Sequence, residues 1–246
     1  MNIERIETID STNEELIRRG REGGMPQVLI AKEQTAGRGR LGRTWVSKKG
    51  DGLYMSILLR PDIPLEKAPL LSLIMGLAAH DAVKEATGID TRLKWPNDLV
   101  IDGKKVAGIL ASSEIEGSRL KFVVIGIGIN MFQELFPEEI SATATSLRLN
   151  GAKFNREDLE NSIVKSFNRY YDIFIREESF RAFTEEYNSL TVNVGRRVRV
   201  IEPGNEYEAD SMGVNEDGEL LVRLDNGEIK TIRSGEVSVR GVYGYV

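Results

Sequence analysis

The sequence predicts an α+β protein in which helices pack on a mixed, largely antiparallel sheet, followed by a small β-barrel. Up to residue 190, strand-like segments alternate with amphipathic helical segments. After residue 190 the helical pattern stops, and short alternating segments are separated by glycine, asparagine and aspartate turns. We therefore predict a main domain of residues 1–190 and a barrel of residues 191–246, with the boundary between Leu190 and Val194.

The first half of the main domain contains two predicted helices and two predicted strands. Ser11 or Thr12 caps a helix that ends at glycines. The segments "QVLIAKEQ" and "LYMSILLR" read as strands and flank a basic, glycine-rich loop. A long apolar face predicts a second helix over 65–87, ending at Gly88.

The second half of the main domain reads as strands followed by a helical region. Turns are predicted at Asp102-Gly103 and at Glu116-Gly117, the first being a favoured two-residue hairpin turn. An apolar face then predicts one helical region over 155–188.

Composition excludes several classes of function. The net charge of −5 and a pI near 5.3 argue against non-specific nucleic-acid binding. The chain has no cysteine, which excludes disulfides and thiolate nucleophiles and fits a reducing compartment. His80, the one histidine, lies mid-helix and is given no chemistry. The charged N-terminus is unlike a secretory signal, and the longest apolar run falls short of the ~20 residues of a membrane helix, so we predict a soluble, cytoplasmic protein.

The loop "QTAGRGRLGRTWVSKK" concentrates positive charge in an acidic protein. Arg38, Arg40 and Arg43 alternate with small residues that let backbone N–H groups approach an anion. No regular element is expected here, so the loop should order around an anionic ligand. The alternative is a solvated surface loop. Trp45, just beyond the arginines, could either stack on a base or pack in the core.

The segment "KWPNDLVIDGKKVAGIL" leaves two questions open. Trp95-Pro96 predicts an extended approach, after which Asn97-Asp98 could hold magnesium or form an Asx turn. Lys104 and Lys105 follow a hairpin turn, so at most one of them faces a buried site. The apolar residues on both faces do not indicate which one.

Two further motifs have a structural and a functional interpretation. In "FVVIGIGIN", Gly126 and Gly128 interrupt a buried strand, which indicates either packing or the close approach of a ligand, and Asn130 ends it. In "STN", the hydroxyls could simply cap the helix, or they could bind a polar, neutral head group at its N-terminus.

In combination, "GRGRLGRTW", "KWPNDL", "GKKVAGIL" and "GIGIN" resemble the biotin–protein ligases, with the order and gaps of that family. The resemblance implies a class II synthetase-like catalytic domain over 1–190 and an SH3-like barrel over 191–246. It is closest to the short form, because "STN" begins at residue 11 and leaves no room for the DNA-binding domain of the repressor members.

The resemblance implies that biotin is joined to ATP as biotinyl-5'-AMP, with release of pyrophosphate. Biotin then passes to a lysine of a biotin carboxyl carrier protein or domain. ATP, biotin and Mg²⁺ are therefore the expected small molecules. Neither a repressor role nor a nucleic-acid or membrane partner is expected. Dimerisation through an exposed sheet edge is common in the family.

The resemblance also assigns site residues, with Lys105 as the essential lysine and Arg40 as its catalytic partner, and with Asp98 as the magnesium ligand. The expected biotin-binding residues are Ser11, Thr12, Asn13, Gln34, Gly37, Arg38, Gly39, Arg40, Lys105, Gly108, Gly126 and Gly128. The expected ATP-binding residues are Arg38, Arg40, Arg43, Trp45, Lys94, Asn97, Lys105 and Asn130.

Two other functions compete with this interpretation. A lipoate–protein ligase would share the fold, but its substrate needs apolar walls, whereas Ser11, Thr12, Asn13 and Gln34 suit the ureido ring of biotin. A non-catalytic nucleotide- or RNA-binding module would need the loop but not the combination of Asp98 and Lys105, and its RNA binding would depend steeply on salt.

Overall fold

The computed structural model describes residues 2–234, 238–242 and 245–246. It consists of a seven-stranded sheet covered by helices and a second, five-stranded sheet. The strands of the first sheet are β1 (Asn2–Ile9), β2 (Gln27–Gln34), β3 (Gly52–Leu59), β4 (Arg92–Lys94), β5 (Asp98–Ile101), β6 (Lys104–Glu116) and β7 (Arg119–Asn130). The helices are α1 (Thr12–Arg21), α2 (Leu70–Thr87), α3 (Glu138–Ser141), α4 (Arg156–Glu177) and α5 (Arg181–Leu190).

The first sheet has the order β1-β2-β3-β7-β6-β5-β4. β1 pairs with β2 in parallel, and the other pairings are antiparallel. The predicted α+β class with a mixed, largely antiparallel sheet is therefore confirmed. Helices cover both faces, because Leu29 packs with Leu16 of α1 while its neighbours Val28 and Ile30 belong to the larger core that contains α2.

The predicted first helix is confirmed, with Ser11 as its N-cap. The Ser11 side chain accepts a hydrogen bond from the backbone N–H of Glu14 at 3.5 Å. Arg60 stabilises the other end of α1, because its guanidinium donates to the carbonyl oxygens of Gly20 at 2.6 Å and Gly24 at 3.0 Å. Both ends of this short helix are thus fixed.

The second helix begins later than predicted. Leu65–Lys67 form a separate 3₁₀ turn, and α2 starts after Pro69, whose ring fits a helix start but not an interior. Gly88 ends the helix in the left-handed conformation with φ 74°, as its position suggested. Residues on most sides of α2 are buried, because this helix lies within the main core.

The hairpin turn at Asp102-Gly103 is confirmed, with positive φ at both residues (47° and 75°). The turn predicted at Glu116-Gly117 lies one residue further on: β6 continues through Glu116, and the chain reverses at Gly117 and Ser118. The single helical region predicted over 155–188 is two helices, because Glu178 takes a left-handed conformation and ends α4.

The second sheet has the order β11-β10-β9-β8-β12, with every pairing antiparallel. Its strands are β8 (Arg197–Glu202), β9 (Asn205–Val214), β10 (Leu220–Arg223), β11 (Ile229–Ile232) and β12 (Ser238–Gly241). The predicted small antiparallel unit is confirmed. The division at residue 190 itself stays a prediction, because the two sheets share a continuous apolar core.

Two hydrogen-bonded contacts fix the second sheet to the first unit. The indole Nε1 of Trp95 donates to the carbonyl oxygen of Gly218 at 3.1 Å. Asn188 of α5 donates to the carbonyl oxygen of Val214 at 3.0 Å and accepts from its backbone N–H at 2.7 Å. These contacts, of which the one from Trp95 is buried, hold the 214–219 turn against the first unit.

Within the described residues, no helix combines the length and the hydropathy that crossing a bilayer requires.

We predict that His80 makes stability depend on pH. Its ring is buried in α2, with Nδ1 3.1 Å from Thr91 Oγ1, and burial lowers its pKa below the ordinary 6.5. The unfolded state therefore binds a proton that the folded state excludes, so the free energy of unfolding should fall as pH decreases through 6.5. Urea titrations between about pH 7.5 and pH 5.5 should show this fall, and a smaller one in His80→Gln. An equal pH slope in both proteins would contradict the assignment.

Candidate functional site

The candidate site is a pocket at the start of α1, above the middle strands of the first sheet. It encloses a cavity of about 50 Å³. Its lining includes eleven of the twelve residues predicted to bind biotin, namely Ser11, Thr12, Asn13, Gln34, Arg38, Gly39, Arg40, Lys105, Gly108, Gly126 and Gly128. The twelfth, Gly37, is buried behind Gln34, with Trp45 and Ser47 also against it.

One end of the pocket is a network of neutral hydrogen-bonding groups. Gln34 Oε1 accepts from the backbone N–H of Thr12 at 2.8 Å, and Thr12 Oγ1 lies 2.7 Å from Ser56 Oγ. Ser56 Oγ in turn donates to Asn13 Oδ1 at 2.5 Å. Ser11 both caps α1 and lines the pocket, so the two interpretations of "STN" are compatible.

Sequence reasoning missed Ser56. It is fully buried in β3, in a strand whose residues are all buried. A serine in an otherwise apolar or aromatic buried strand is the signal that could have identified it, because its hydroxyl needs a polar partner. Tyr54 of the same strand also lines the pocket and donates to the carbonyl oxygen of Lys48 at 3.0 Å.

Three glycines of β6 and β7 form the floor of the pocket. Gly108 and Gly128 face each other in the strand register, and Gly126 lies two residues away. A Cβ at Gly126 would overlap Asn13 Oδ1, and one at Gly128 would lie 2.5 Å from Trp45 Nε1. These glycines therefore permit close approach of side chains, as the interrupted strand suggested.

Trp45 covers this floor. Its indole lies against Gly128 and Gly108, and its Nε1 is buried without a hydrogen-bond partner among the described residues. An unpaired buried donor costs about 1–3 kcal/mol. Because the indole takes up most of the space above the glycines, the remaining cavity is small.

The arginine loop has a defined conformation, contrary to the expectation of no regular element. Gly39 N–H donates to the carbonyl oxygen of Arg43 at 2.7 Å, and Trp45 N–H donates to that of Gly37 at 2.9 Å, which gives a short hairpin. Arg40 connects this hairpin to both sheets. Its guanidinium donates to Asn97 Oδ1 at 3.2 Å and to the carbonyl oxygen of Ser234 at 2.8 Å.

The other arginines of the loop are more exposed. Arg38 lines the pocket and pairs with Glu14 of α1 at 2.9 Å. Arg43 is exposed and does not line the cavity. Of the three, Arg40 alone is half-buried, and desolvation lowers its pKa from the ordinary value.

The charged end of the pocket centres on Asp98. Lys105 Nζ donates to Asp98 Oδ1 at 2.5 Å, while Lys104 is exposed, so the structure identifies which of the two lysines faces the site. Burial alone would raise the pKa of Asp98, but the charges of Lys105 and Lys94 hold it below its ordinary 3.8. Burial lowers the pKa of Lys94 to about 8, against the attraction of Asp98.

Trp95-Pro96 form the turn between β4 and β5, so the predicted extended approach is wrong. The Asx-turn alternative is not observed for Asn97, because its Oδ1 accepts from Arg40 at 3.2 Å and its Nδ2 donates to the distant carbonyl oxygen of Ile109 at 2.9 Å. Asn97 lines the pocket, whereas Lys94 and Asn130 lie outside it. Asn130 instead donates to the carbonyl oxygen of Thr145 at 3.0 Å.

Asp98 does not present a preformed magnesium site. Its two oxygens accept hydrogen bonds from Lys105 and from the hydroxyl of Tyr245. No group of three or more metal-ligating side chains occurs among residues 2–234, 238–242 and 245–246. Magnesium binding at Asp98 stays a prediction, and no chemical step below depends on it.

A second cavity of about 580 Å³ adjoins the pocket along Arg40, Asn97 and Ile109. The N-terminal end of α2 and the 217–219 turn of the second sheet form its walls. The small pocket therefore opens toward a groove large enough for a nucleotide or a partner's side chain.

Comparison with known proteins agrees with this architecture. Residues 5–130 match the biotin/lipoate A/B protein ligase family, and residues 194–240 match the biotin protein ligase C-terminal domain. The bifunctional ligase/repressor BirA of Bacillus subtilis is 37% identical over 215 residues, which cover 86% of this chain and 66% of BirA. This chain thus spans about two thirds of the length of that relative.

Two other comparisons cover more of the matched protein. The biotin–[acetyl-CoA-carboxylase] ligase of Mycobacterium tuberculosis is 35% identical, over 92% of this chain and 85% of its own length. The structure of the Aquifex aeolicus biotin protein ligase with biotin and ATP superposes with a TM-score of 0.83 at 35% identity, over 98% of this chain and 99% of that one. The chain belongs to the biotin/lipoate A/B protein ligase family. Within that family, its C-terminal domain match and these relatives show that it is similar to biotin protein ligases.

We predict that the pocket floor does not tolerate a side chain at Gly126. In Gly126→Ala the new Cβ overlaps Asn13, so the free energy of unfolding should fall by about 1–3 kcal/mol. Gly76→Ala is the matched control, because the nearest atom to its Cβ lies at an ordinary 3.4 Å and alanine favours a helix. Urea denaturation measures both, and an equal effect of the two substitutions would contradict the prediction.

Proposed function

We propose that this protein is an ATP-dependent biotin–protein ligase that forms biotinyl-5'-AMP and transfers biotin to a lysine of a biotin carboxyl carrier protein. The observation that carries the proposal is the pocket itself. One end offers neutral donors and acceptors from Thr12, Asn13 and Ser56, and the other carries the half-buried cations Lys105 and Arg40. Biotin has this polarity, with a ureido ring at one end and a carboxylate at the other.

The neutral end supports biotin over lipoate. A ureido ring presents two N–H donors and one carbonyl acceptor, and these match the hydroxyl and amide groups around Ser56. The dithiolane ring of lipoate has no N–H donor and no carbonyl acceptor to offer these groups. The proposal of biotin as substrate thus rests on hydrogen-bond matching.

The cationic end supports attack of a carboxylate on a phosphate. In the first step a biotin carboxylate oxygen bonds to the α-phosphorus of ATP, and the bond from that phosphorus to the β-bridging oxygen breaks, so that its electrons leave with pyrophosphate. Both reactants are anions, and Lys105 and Arg40 offset their repulsion. Lys94 and Asn97 are the proposed contacts to the nucleotide.

In the second step the carrier's neutral lysine amine attacks the biotinyl carbonyl carbon. The bond from that carbon to the phosphate oxygen breaks, AMP leaves, and the nitrogen loses one proton. We propose that the arginine hairpin, through Arg40, keeps the mixed anhydride away from water between the two steps.

We also propose that the protein lacks a repressor role, a suggestion supported by its net charge of −5. The Bacillus subtilis relative is named as both a ligase and a repressor, so this point distinguishes the two proteins. Dimerisation through a sheet edge is likewise a proposal, and β1 is the long strand at one edge of the first sheet.

Pyrophosphate release tests the proposed function directly. With ATP, magnesium and biotin but no carrier protein, we expect a burst near one equivalent, because the intermediate stays bound. Lipoate should give no burst, since it cannot satisfy the neutral end of the pocket. A burst with lipoate alone would indicate a lipoate–protein ligase. No burst with either acid would favour a nucleotide- or RNA-binding module.

We predict that Lys105→Ala and Arg40→Ala impair different properties. Lys105→Ala should lower the rate of adenylation by about 10²-fold or more, because it removes a charge at the reacting atoms. Arg40→Ala should release biotinyl-AMP, because the hairpin loses its hydrogen bonds to Asn97 and Ser234.

Pyrophosphate release measures the first effect, and biotinylation of an added bystander protein measures the second. Lys104→Ala is the matched control, since this neighbouring lysine is exposed and should leave both readouts unchanged. Normal rate and normal selectivity in both site variants would refute the site assignment.

A further inference from the structure

Tyr245 reaches the charged end of the pocket from the far end of the chain. It follows β12 of the second sheet, and its hydroxyl donates to Asp98 Oδ2 in the first sheet. Its ring lies over Lys94, with Nζ 3.9 Å from the ring centroid. One side chain thus contacts both an acid and a base of the proposed site. No sequence motif indicated it.

The hydroxyl of Tyr245 provides the second hydrogen-bond donor to the buried carboxylate of Asp98. Asp98 is 8% exposed and Lys94 is 5% exposed, so neither is well solvated. Oδ1 of Asp98 is occupied by Lys105, and Oδ2 by Tyr245. With both oxygens bonded, the carboxylate plane is fixed, and Lys105 is held in one direction.

The ring of Tyr245 has a separate effect on Lys94. Three charged groups, Lys94, Asp98 and Lys105, leave a net positive charge in a poorly hydrated region. The negative face of an aromatic ring stabilises an ammonium group that water does not reach. Lys94 is therefore stabilised as a cation beside Asp98 by the ring. It does not compete with Lys105 for Oδ1 of Asp98, to which Lys105 is bonded.

The second sheet makes one more contact of this kind. Ser234, which follows β11, accepts a hydrogen bond from Arg40 through its carbonyl oxygen at 2.8 Å. Both proposed catalytic residues are therefore supported from the second sheet, Arg40 directly and Lys105 through Asp98. These contacts connect the second sheet to the adenylation step.

We propose that Tyr245 is a positioning residue for adenylation: its hydroxyl orients Asp98 and thereby Lys105, and its ring holds Lys94 for the nucleotide. The inference rests on the proposed function, because Lys105 and Lys94 have these roles only in a ligase. It assigns to the C-terminal unit a part in activating biotin.

Two substitutions separate the two contacts. Tyr245→Phe keeps the ring and removes the hydroxyl, and Tyr245→Leu removes both. Tyr171→Phe is the matched control, because this tyrosine lies on α4, where its ring stacks on Phe167 at 5.6 Å. Biotin-dependent pyrophosphate release is measured with the full chain at varied ATP and varied biotin, together with the thermal unfolding midpoint of each protein.

For Tyr245→Phe we expect kcat to fall about tenfold, the effect of one charge-assisted hydrogen bond, with KM for ATP unchanged. For Tyr245→Leu we expect the same fall in kcat and a KM for ATP raised about fivefold, the effect of the lost cation–π contact. Tyr245→Phe should therefore have a normal KM for ATP and a lowered kcat, whereas Tyr245→Leu should be altered in both. If Tyr245 only stabilised the fold, the two substitutions would not separate kcat from KM in this way. Tyr171→Phe should match the wild type.

An unchanged kcat in Tyr245→Phe would overturn the inference. So would variants that alter only the melting temperature or the amount of folded protein, or that alter only KM for biotin. Failure of the proposed function looks different, because the wild-type protein itself would then release no pyrophosphate with biotin. The wild-type measurement therefore comes first and separates the two failures.

Discussion

The ion pair between Asp98 and Lys105 is the interaction on which the rest of the site depends. A carboxylate removed from water must find partners, because burial of an unpaired charge costs several kcal/mol. Asp98 obtains them from three directions: Lys105 on β6, Lys94 on β4 and Tyr245 beyond β12. The need to satisfy one buried charge thus brings distant parts of the chain to one point.

The pocket combines two environments that could not share the same residues. Its neutral end is built from α1, β2 and β3, where hydroxyl and amide groups bond to one another at 2.5–2.8 Å. Its cationic end is built from β4, β5, β6 and the arginine hairpin. Gly108, Gly126 and Gly128 lie between the ends, where the absence of a Cβ admits the indole of Trp45 and the amide of Asn13. The architecture thus keeps the neutral and the charged groups at opposite ends of the pocket.

Much of the fold and of the pocket could be predicted from the sequence, because the local residue preferences agree with the tertiary structure. The N-cap Ser11, the Asp102-Gly103 turn and the Gly88 stop follow from backbone preferences that depend on few neighbours. The pocket residues were predicted from motifs that combine suitable residue types with the order and gaps of a known family. Lys105 was separated from Lys104 only by the resemblance, because both faces of β6 are apolar.

The features that sequence reasoning missed are of two kinds: local interruptions of a helical pattern, and contacts between residues far apart in the chain. Pro69 moved the start of α2, and the left-handed Glu178 divided a helix whose apolar pattern runs on without interruption. Tyr245 lies 147 residues from Asp98, so no local pattern could indicate their contact. The short hairpin of the arginine loop likewise depends on Asn97 and Ser234, which lie far along the chain.

The two tryptophans of the chain occupy opposite environments, and this has an optical consequence. Trp95 is fully buried, and its indole N–H donates to the carbonyl oxygen of Gly218, where solvent does not reach it. Trp45 covers the glycine floor with its indole nitrogen unpaired, in a space that any ligand of the pocket must share. Emission from Trp95 therefore provides a constant background, and emission from Trp45 changes with occupancy. The protein carries its own fluorescent reporter of ligand binding.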